Sequence, residues 1–297
     1  MDVSVILVNY NTLSLTMSCI DSIFMHTQDI DFEVIVVDND SYDGSQDILS
    51  ADSRILFIES GSNLGFGRAN NLGMLKATGK YIFFLNTDTL LFNNSLKIFY
   101  DFAETCFGHI KLGGIGCQLI DGDHNVTHSY SHFPKVNESF INEIRDHWRF
   151  LTGQKKPRRV NRYKDCPFGF YEVDYVTGAD LFVKRSVLDE VGAFDPDFFM
   201  YYEETEMQYR WWRKGYKQLI IEGPEIMHLE RKSTVNALNI SCEMRDLHSR
   251  ILYFKKTSHP LIYVYYRMML VLFRLHYIIM PSISFVDKIS FFRLILS

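Results

Sequence analysis

At 297 residues the chain is long enough for one large α/β domain with an appendage, or for two small domains. Its formal net charge of −5 argues against the broad basic face that nucleic acids require. The five cysteines form no C-x-x-C pair and leave an odd count, which fits a reducing cytosol better than a disulfide framework.

The first 90 residues alternate strand and helix. Val3–Val8, Glu33–Val37, Ile55–Ile58 and Tyr81–Leu85 are short apolar, β-branched or aromatic runs. Helical stretches near Leu13–His26, Asp47–Ala51 and Arg68–Ala77 separate them, so the pattern predicts a parallel βαβαβαβ sheet. Nothing before Val3 reads as a secretory n-region or h-region, so no signal peptide is expected. Each predicted strand ends in a polar or glycine-containing loop, beginning at Asn9, Asp38, Ser60 and Asn86, and all four loops gather on one edge. Residues 121–165 have weak periodicity and read as a variable insert or acceptor-side region. Strand character resumes over Tyr171–Thr177, Ala179–Val183 and Lys217–Ile221, with a helix over Glu203–Lys214 closed by Gly215.

The chemistry-bearing residues sit at the ends of these elements. Asn86-Thr87-Asp88-Thr89 follows a buried strand, where open α/β sheets bind ligands. A carboxylate there can hold Mg²⁺ or Mn²⁺ with positions left for diphosphate oxygens; the plain alternative is a cap on the next helix. Asp38-Asn39, at the end of the second strand, suits a nucleoside, since Asn39 offers both an acceptor and a donor to a base. The stretch from Gly61 to Asn71 superficially resembles a dinucleotide fingerprint, but it follows the third strand with the wrong spacing. It can still wrap a ligand near a helix N-terminus, with Arg68 reaching phosphate.

Glu203-Glu204-Thr205-Glu206 opens a helix after an aromatic run, so apolar surroundings should raise a carboxyl pKa toward that of a useful base. Successive helical residues point about 100° apart, hence one of these acids is catalytic and the others cap or brace. His228, at a strand end, is a candidate metal or diphosphate ligand. His124, His128 and His132 recur at the spacing of a helical metal face, but turn signals flank them.

As an ordered set, Val3–Asn11, Val36-Val37-Asp38-Asn39, Asn63-Leu64-Gly65-Phe66-Gly67, Ala69-Asn70-Asn71, Leu85–Thr89 and Val191–Asp195 resemble glycosyltransferase family 2, in its bacterial rhamnosyltransferase-like branch. The resemblance covers roughly residues 3–235. It implies a GT-A fold, meaning a Rossmann-like, mostly parallel central sheet flanked by helices, together with a nucleotide-sugar donor, a divalent cation (Mg²⁺ or Mn²⁺) and inversion at the anomeric carbon. Carried over by position, Asp38 and Asn39 are the nucleoside-binding pair, Asp88 the metal-binding acid, Glu204 the general base and His228 the late diphosphate-metal ligand. Asn9, Asn63, Arg68 and Asn86 complete the donor side, and Gly178, Ala179 and Glu203 the acceptor side. The chain departs from the branch at Thr87, where proline is common, and at Glu204 and Glu206, where aspartates are common.

The expectation that follows is an inverting transferase moving L-rhamnose from dTDP-rhamnose to a lipid-linked glycan during surface polysaccharide assembly. A UDP-hexose donor and a noncatalytic sugar-nucleotide-binding subunit are the alternatives. The catalytic domain is expected over residues 1–242, with a donor half to about 120 and an acceptor and catalytic half beyond it. Residues 243–297 form an apolar, basic helical tail broken at Pro260 and Pro281. From Lys255 onward six basic residues face one acid, Asp287, which points to an anionic membrane surface and a peripheral location on the inner face of a bacterial membrane. Arg267 and Arg274 interrupt the apolar run, so no bilayer span is expected. Tyr263, Tyr266, Leu270, Phe273 and Tyr277 define the stripe expected to meet lipid.

Overall fold

The computed structural model describes residues 1–106, 110–154, 169–229, 240–274 and 285–296. By packing, the described residues form two compact units, one drawn from 1–133, 159–199 and 203–235, the other from 134–158, 200–202 and 236–297.

The first unit is built on an eight-stranded sheet. Strands β1 (Val3–Asn9), β2 (Phe32–Asp38), β3 (Ile55–Glu59) and β4 (Tyr81–Leu85) are parallel, in spatial order β3-β2-β1-β4. Beyond β4 the sheet continues through β10 (Asp180–Lys184), β6 (Leu112–Cys117), β11 (Lys217–Ile221) and β8 (Phe170–Val173). Strand β10 runs antiparallel to both of its neighbours, which makes the sheet mixed. Two short ribbons complete the unit: β5 (Thr89–Leu91) with β12 (Ile226–His228), and β7 (Tyr130–Ser131) with β9 (Tyr175–Val176).

The sheet is covered on both faces, which is why its strands read as continuous apolar runs. Alternation decides which side chain goes where. Val3, Val5 and Leu7 enter the cluster shared with Cys19 and Ile20 of α1 (Leu13–His26) and with Leu96 and Phe99 of α4 (Ser95–Cys106). Ile6, Ile82 and Phe84 point to the opposite cluster, with Phe194, Met207 and Trp211. That second face is clad by α3 (Phe66–Met74), α6 (Arg185–Val191) and α7 (Glu203–Arg213), while α2 (Ser45–Ser50) links β2 to β3. The order reverses around β1, so a topological switch point lies between β1 and β4 at their carboxyl ends.

The second unit is helical among its described residues: α5 (Val136–Thr152), α8 (Ile240–Thr257), α9 (Pro260–Arg274) and α10 (Phe285–Leu296). Helix α5 falls inside residues 121–165, the segment expected to be a variable insert or acceptor-side region. Its apolar positions Val136, Phe140, Ile144 and Trp148 do follow a helical period, interleaved with charge. The Arg250 guanidinium meets the buried Glu143 carboxylate at 2.9 Å, Phe140 packs edge-on to Phe273, and Phe254 lies 4.5 Å from Tyr266. Arg267 donates to the carbonyls of Leu294 and Ile295 at the C-terminus of α10, where the helix dipole favours a cation. Tyr201 and Tyr202 hold left-handed φ values of 71° and 66°, a conformation disfavoured for aromatic residues. Ser249 donates to the Met200 carbonyl at 2.7 Å, and the Tyr202 ring packs on Tyr253.

The lipid-facing stripe expected in the tail is corrected by this packing. Tyr266 and Leu270 are 2% and 1% exposed and Phe273 meets Phe140, so that stripe faces the interior of the helical unit. The physical reason is that α9 is apolar on more than one side, and periodicity alone could not choose between them. Tyr277 and Pro281 lie outside the described residues.

Candidate active site

Parallel register sets the donor end of the site. Asn9 pairs with Asp38, and Asp38 with Glu59, so the carboxyl ends of the first three strands stand side by side. Asn9 is fully buried and its amide is completely engaged. Its Nδ2 donates to Asp38 Oδ1 at 2.7 Å and to Ser41 Oγ at 3.0 Å, while its Oδ1 accepts from Thr12 Oγ1 at 3.0 Å and Thr16 Oγ1 at 2.7 Å. An asparagine with its four bonds spent inside the chain acts by fixing Asp38. The second Asp38 oxygen accepts from the Ser41 backbone N–H at 3.0 Å.

Asn39 is placed beside the loop after β3. Its Nδ2 donates to Asn63 Oδ1 at 3.1 Å, and its Oδ1 accepts from the Leu64 N–H at 2.8 Å. Asn63 Oδ1 also accepts from the Gly65 N–H at 3.0 Å. Asn39 and Asn63 therefore shape this loop together. A Cβ on Gly65 would lie 2.0 Å from the Phe199 carbonyl oxygen, and the residue sits at φ +82°, so only glycine fits there. Arg68 is exposed, and its Nε donates to the Pro196 carbonyl.

At the other end of the switch point, β4 runs into Asn86, whose N–H donates to the Ala179 carbonyl at 3.0 Å and whose carbonyl accepts from the Thr89 hydroxyl at 2.7 Å. Thr87, where the related branch commonly has proline, places its hydroxyl 3.2 Å from that of Thr12. The β5–β12 ribbon pairs Thr89 with His228. That pairing brings His228 Nε2 within 3.2 Å of Asp88 Oδ1, and the Leu229 N–H donates to the Asp88 carbonyl at 2.9 Å. A carboxylate and an imidazole nitrogen on adjoining strand ends are a donor set that suits Mn²⁺ or Mg²⁺. Among the described residues no three His, Cys, Asp or Glu side chains form a metal cage. Two protein ligands would leave coordination positions on such a cation for oxygens of a ligand.

The acids of α7 divide by environment. Glu203 is buried, and burial together with the Glu204 charge pushes its carboxyl well above the usual range. Glu204 is half-buried; desolvation raises its carboxyl too, opposed by backbone N–H groups of Glu204 and Thr205. Glu206 accepts from Arg210 Nε at 2.9 Å and 3.0 Å, and the Arg210 guanidinium also donates to the carbonyls of Val191, Gly192 and Ala193. Glu206 is a brace, which accounts for a glutamate at that position. A Cβ added to Gly178 would lie 3.8 Å from Glu204 Cβ, and the next residue, Ala179, accepts the Asn86 N–H. Glu204, the Gly178–Ala179 turn, Asn86 and the Asp88–His228 pair therefore form one continuous line of neighbours.

In the sequence Asp180 is only the last residue of the Gly178-Ala179-Asp180 turn expected beside the acceptor, with no role of its own. It heads β10 fully buried, ahead of the apolar Leu181-Phe182-Val183, accepts from the Cys117 N–H at 2.7 Å, and leaves Oδ1 without a hydrogen-bond partner. Burial pushes its carboxyl up to about 7, with the Cys117 hydrogen bonds and the His228 charge pulling the other way. A Cβ on Gly116 would come within 3.1 Å of this carboxylate, so glycine makes the room. The available signal was an acid opening an apolar strand. The three spaced histidines do not form a helical metal face: His124 sits in a turn at φ 59°, and His132 pairs with Asp174 at 3.3 Å.

The fold matches solved GT-A glycosyltransferases. A mannosyltransferase from Pyrobaculum calidifontis in complex with GDP-Man and Mn²⁺ aligns over 92% of this chain and 70% of its own, with a TM-score of 0.54 and 15% identity. GalNAc-T7 with UDP, GalNAc and Mn²⁺ aligns over 86% of this chain and 48% of its own, with a TM-score of 0.60 and 14% identity. Residues 4–167 match the family described as Glycosyl transferase family 2, and the chain belongs to that family. The N-acetylglucosaminyl-diphospho-decaprenol L-rhamnosyltransferase of Mycobacterium tuberculosis is 24% identical over 219 residues, covering 68% of this chain and 67% of that protein. A Rickettsia felis glycosyltransferase is 28% identical over 170 residues, 56% of this chain; the match spans only 24% of that longer protein.

Proposed function

We propose that the protein is an inverting, metal-dependent hexosyltransferase that moves L-rhamnose from dTDP-rhamnose to a lipid-linked glycan. The carrying observation is the Asp88–His228 pair at the switch point, in line with the half-buried Glu204 through Gly178, Ala179 and Asn86. Asp38, held by Asn9, and the Asn39–Asn63 loop receive the nucleoside. Asp88 and His228 would hold the cation, which when bound would supply positive charge against the departing diphosphate. Glu204 takes the proton from the acceptor hydroxyl, and its desolvated setting gives it the basicity for that step. Glu203, further buried, is pushed toward its neutral form by that burial and by the Glu204 charge, which makes Glu204 the better placed of the two to take a proton. Gly178 and Ala179 border the acceptor.

The rhamnosyltransferase from Mycobacterium tuberculosis supports the choice of sugar and of a lipid-linked acceptor. A UDP-hexose is the second reading, supported by a poly(ribitol-phosphate) β-glucosyltransferase of Bacillus spizizenii, 32% identical over 119 residues, 38% of this chain and 19% of that protein. Peripheral attachment to the inner face of a bacterial membrane belongs to the same proposal, as does the functional division into residues 1–242 and 243–297. No helix among the described residues is long and apolar enough to cross a membrane. The test is a donor panel with a lipid-linked N-acetylglucosamine acceptor, read by mass spectrometry. A mass increase of one deoxyhexose from dTDP-rhamnose supports the reading; transfer only from a UDP-hexose moves it to the second.

A further inference from the structure

Gln208 is an amide in an apolar setting. It stands on α7 between Met207 and Trp211, and all three are fully buried. An amide inside a core costs stability unless both its ends are bonded. Here both are: Oε1 accepts from the Val176 N–H at 2.9 Å, and Nε2 donates to the Val176 carbonyl at 2.7 Å. Gln208 thus serves the two backbone groups of Val176 as a neighbouring strand would. Its Nε2 also donates to the Glu204 carbonyl at 3.1 Å, about one turn back along the helix.

Two elements of the site meet at this amide. Glu204 and Gln208 are four residues apart on one helix, so their side chains share a face. Val176 ends β9 and leads through Thr177 into the Gly178–Ala179 turn. A Cβ on Gly178 would lie 3.8 Å from Glu204 Cβ, so the turn and the acid are neighbours. The turn is fastened elsewhere too, since the Thr177 N–H donates to the Ser129 carbonyl at 3.0 Å and the Asn86 N–H to the Ala179 carbonyl at 3.0 Å. Those bonds hold it to the chain before β7 and to the end of β4. The Gln208 pairing ties it to α7, whereas Arg210, farther along the helix, binds the carbonyls of Val191, Gly192 and Ala193.

We infer that Gln208 is a positioning residue for the transfer step: by pairing with Val176 it sets the distance between Glu204 and the turn that borders the acceptor. The inference rests on the proposed function, in which Glu204 is the base and the Gly178–Ala179 turn borders the acceptor. A carboxamide suits the task because it donates and accepts at once from one plane. Methionine or leucine fills the space and offers neither bond. Without the pairing α7 and the turn can shift against each other, and a misplacement of about 1 Å can cost on the order of 10²-fold in rate.

The test is a double-mutant cycle between positions 208 and 204, read as single-turnover transfer with saturating acceptor and the donor identified by the panel above. Rates are counted per site that binds nucleoside diphosphate with Mn²⁺ in calorimetric titration, so loss of folded protein does not enter. Gln208→Met and Gln208→Leu should each slow transfer by about 10- to 100-fold with donor affinity unchanged. In a Glu204→Gln background the same substitutions should cost less than about threefold, because no base is left to place. Equal losses in both backgrounds, or no loss in either, would overturn the inference and leave Glu204 as the base. If neither Gln208 variant binds nucleoside diphosphate, the amide serves the fold alone and the inference falls. If Glu204→Gln by itself transfers at the full rate, the proposed base fails and the inference goes with it.

Discussion

His228 Nε2 lies 3.2 Å from Asp88 Oδ1, although the two residues come from widely separated parts of the chain. The β5–β12 pairing of Thr89 with His228 makes this contact, so the side chains meet because two short strands do. Asp88→Ala should therefore abolish Mn²⁺-dependent binding of a nucleoside diphosphate in calorimetric titration, since the anionic anchor is lost. His228→Ala should weaken the same binding less. Metal dependence unchanged in both variants would remove the cation from this pair.

Glu204→Gln should retain donor affinity and lose transfer rate by a factor on the order of 10²–10⁴, the usual worth of a positioned proton acceptor. Glu203→Gln should cost far less, because a glutamine resembles the protonated acid that burial favours there. Single-turnover rates at saturating donor distinguish the two, and a reversal would assign the base to Glu203.

Much of the donor end was legible in the sequence. Leu13–His26, Tyr81–Leu85 and Lys217–Ile221 come out with the same limits in the structure, because periodicity and end signals agree there. The placement of Asn9, Asp38 and Asp88 on one edge followed from parallel strands. What the sequence could not show was how side chains spend their bonds. Asn39 read as an open donor and acceptor, yet Asn63 and Leu64 occupy both. Helical spacing said that some of the α7 acids brace but not against what; for Glu206 the partner is Arg210. Helix α5 went unread because its apolar positions are diluted by Glu138, Glu143, Arg145 and Asp146.

The Glu206–Arg210 brace ties α7 to the turn at Gly192. Arg210→Ala removes the guanidinium from a mostly buried carboxylate and from the carbonyls of Val191, Gly192 and Ala193, of which Gly192 keeps its bond from Trp211 Nε1. It should lower stability by about 3 kcal/mol, the usual cost of breaking such a pair from one side. Urea unfolding monitored by Trp fluorescence measures it; a change within error of zero would show that the brace is idle.

Asp180 gives the stability a pH dependence of definite sign. Its carboxyl is raised from 3.8 to about 7 in the folded chain, so folding favours the protonated form. The stabilisation is full below about pH 4 and is lost as pH rises through about 7. Glu203 and Glu204, also raised, act in the same direction. Thermal melts should show a lower melting temperature at pH 8 than at pH 5.5, and Asp180→Asn should shrink that difference without abolishing it. An undiminished difference in the variant would assign the slope to the α7 acids alone.

The most direct test is the transfer assay itself, run with dTDP-rhamnose and a lipid-linked acceptor, with Mn²⁺ and then with chelator. The unaltered chain should add one sugar per acceptor, with chelator stopping the reaction and Mn²⁺ restoring it, while Glu204→Gln stays slowed as above and Asp88→Ala stays inactive with Mn²⁺ present. Transfer that proceeds at full rate in chelator, or in either variant, would contradict a site built on Asp88, His228 and Glu204.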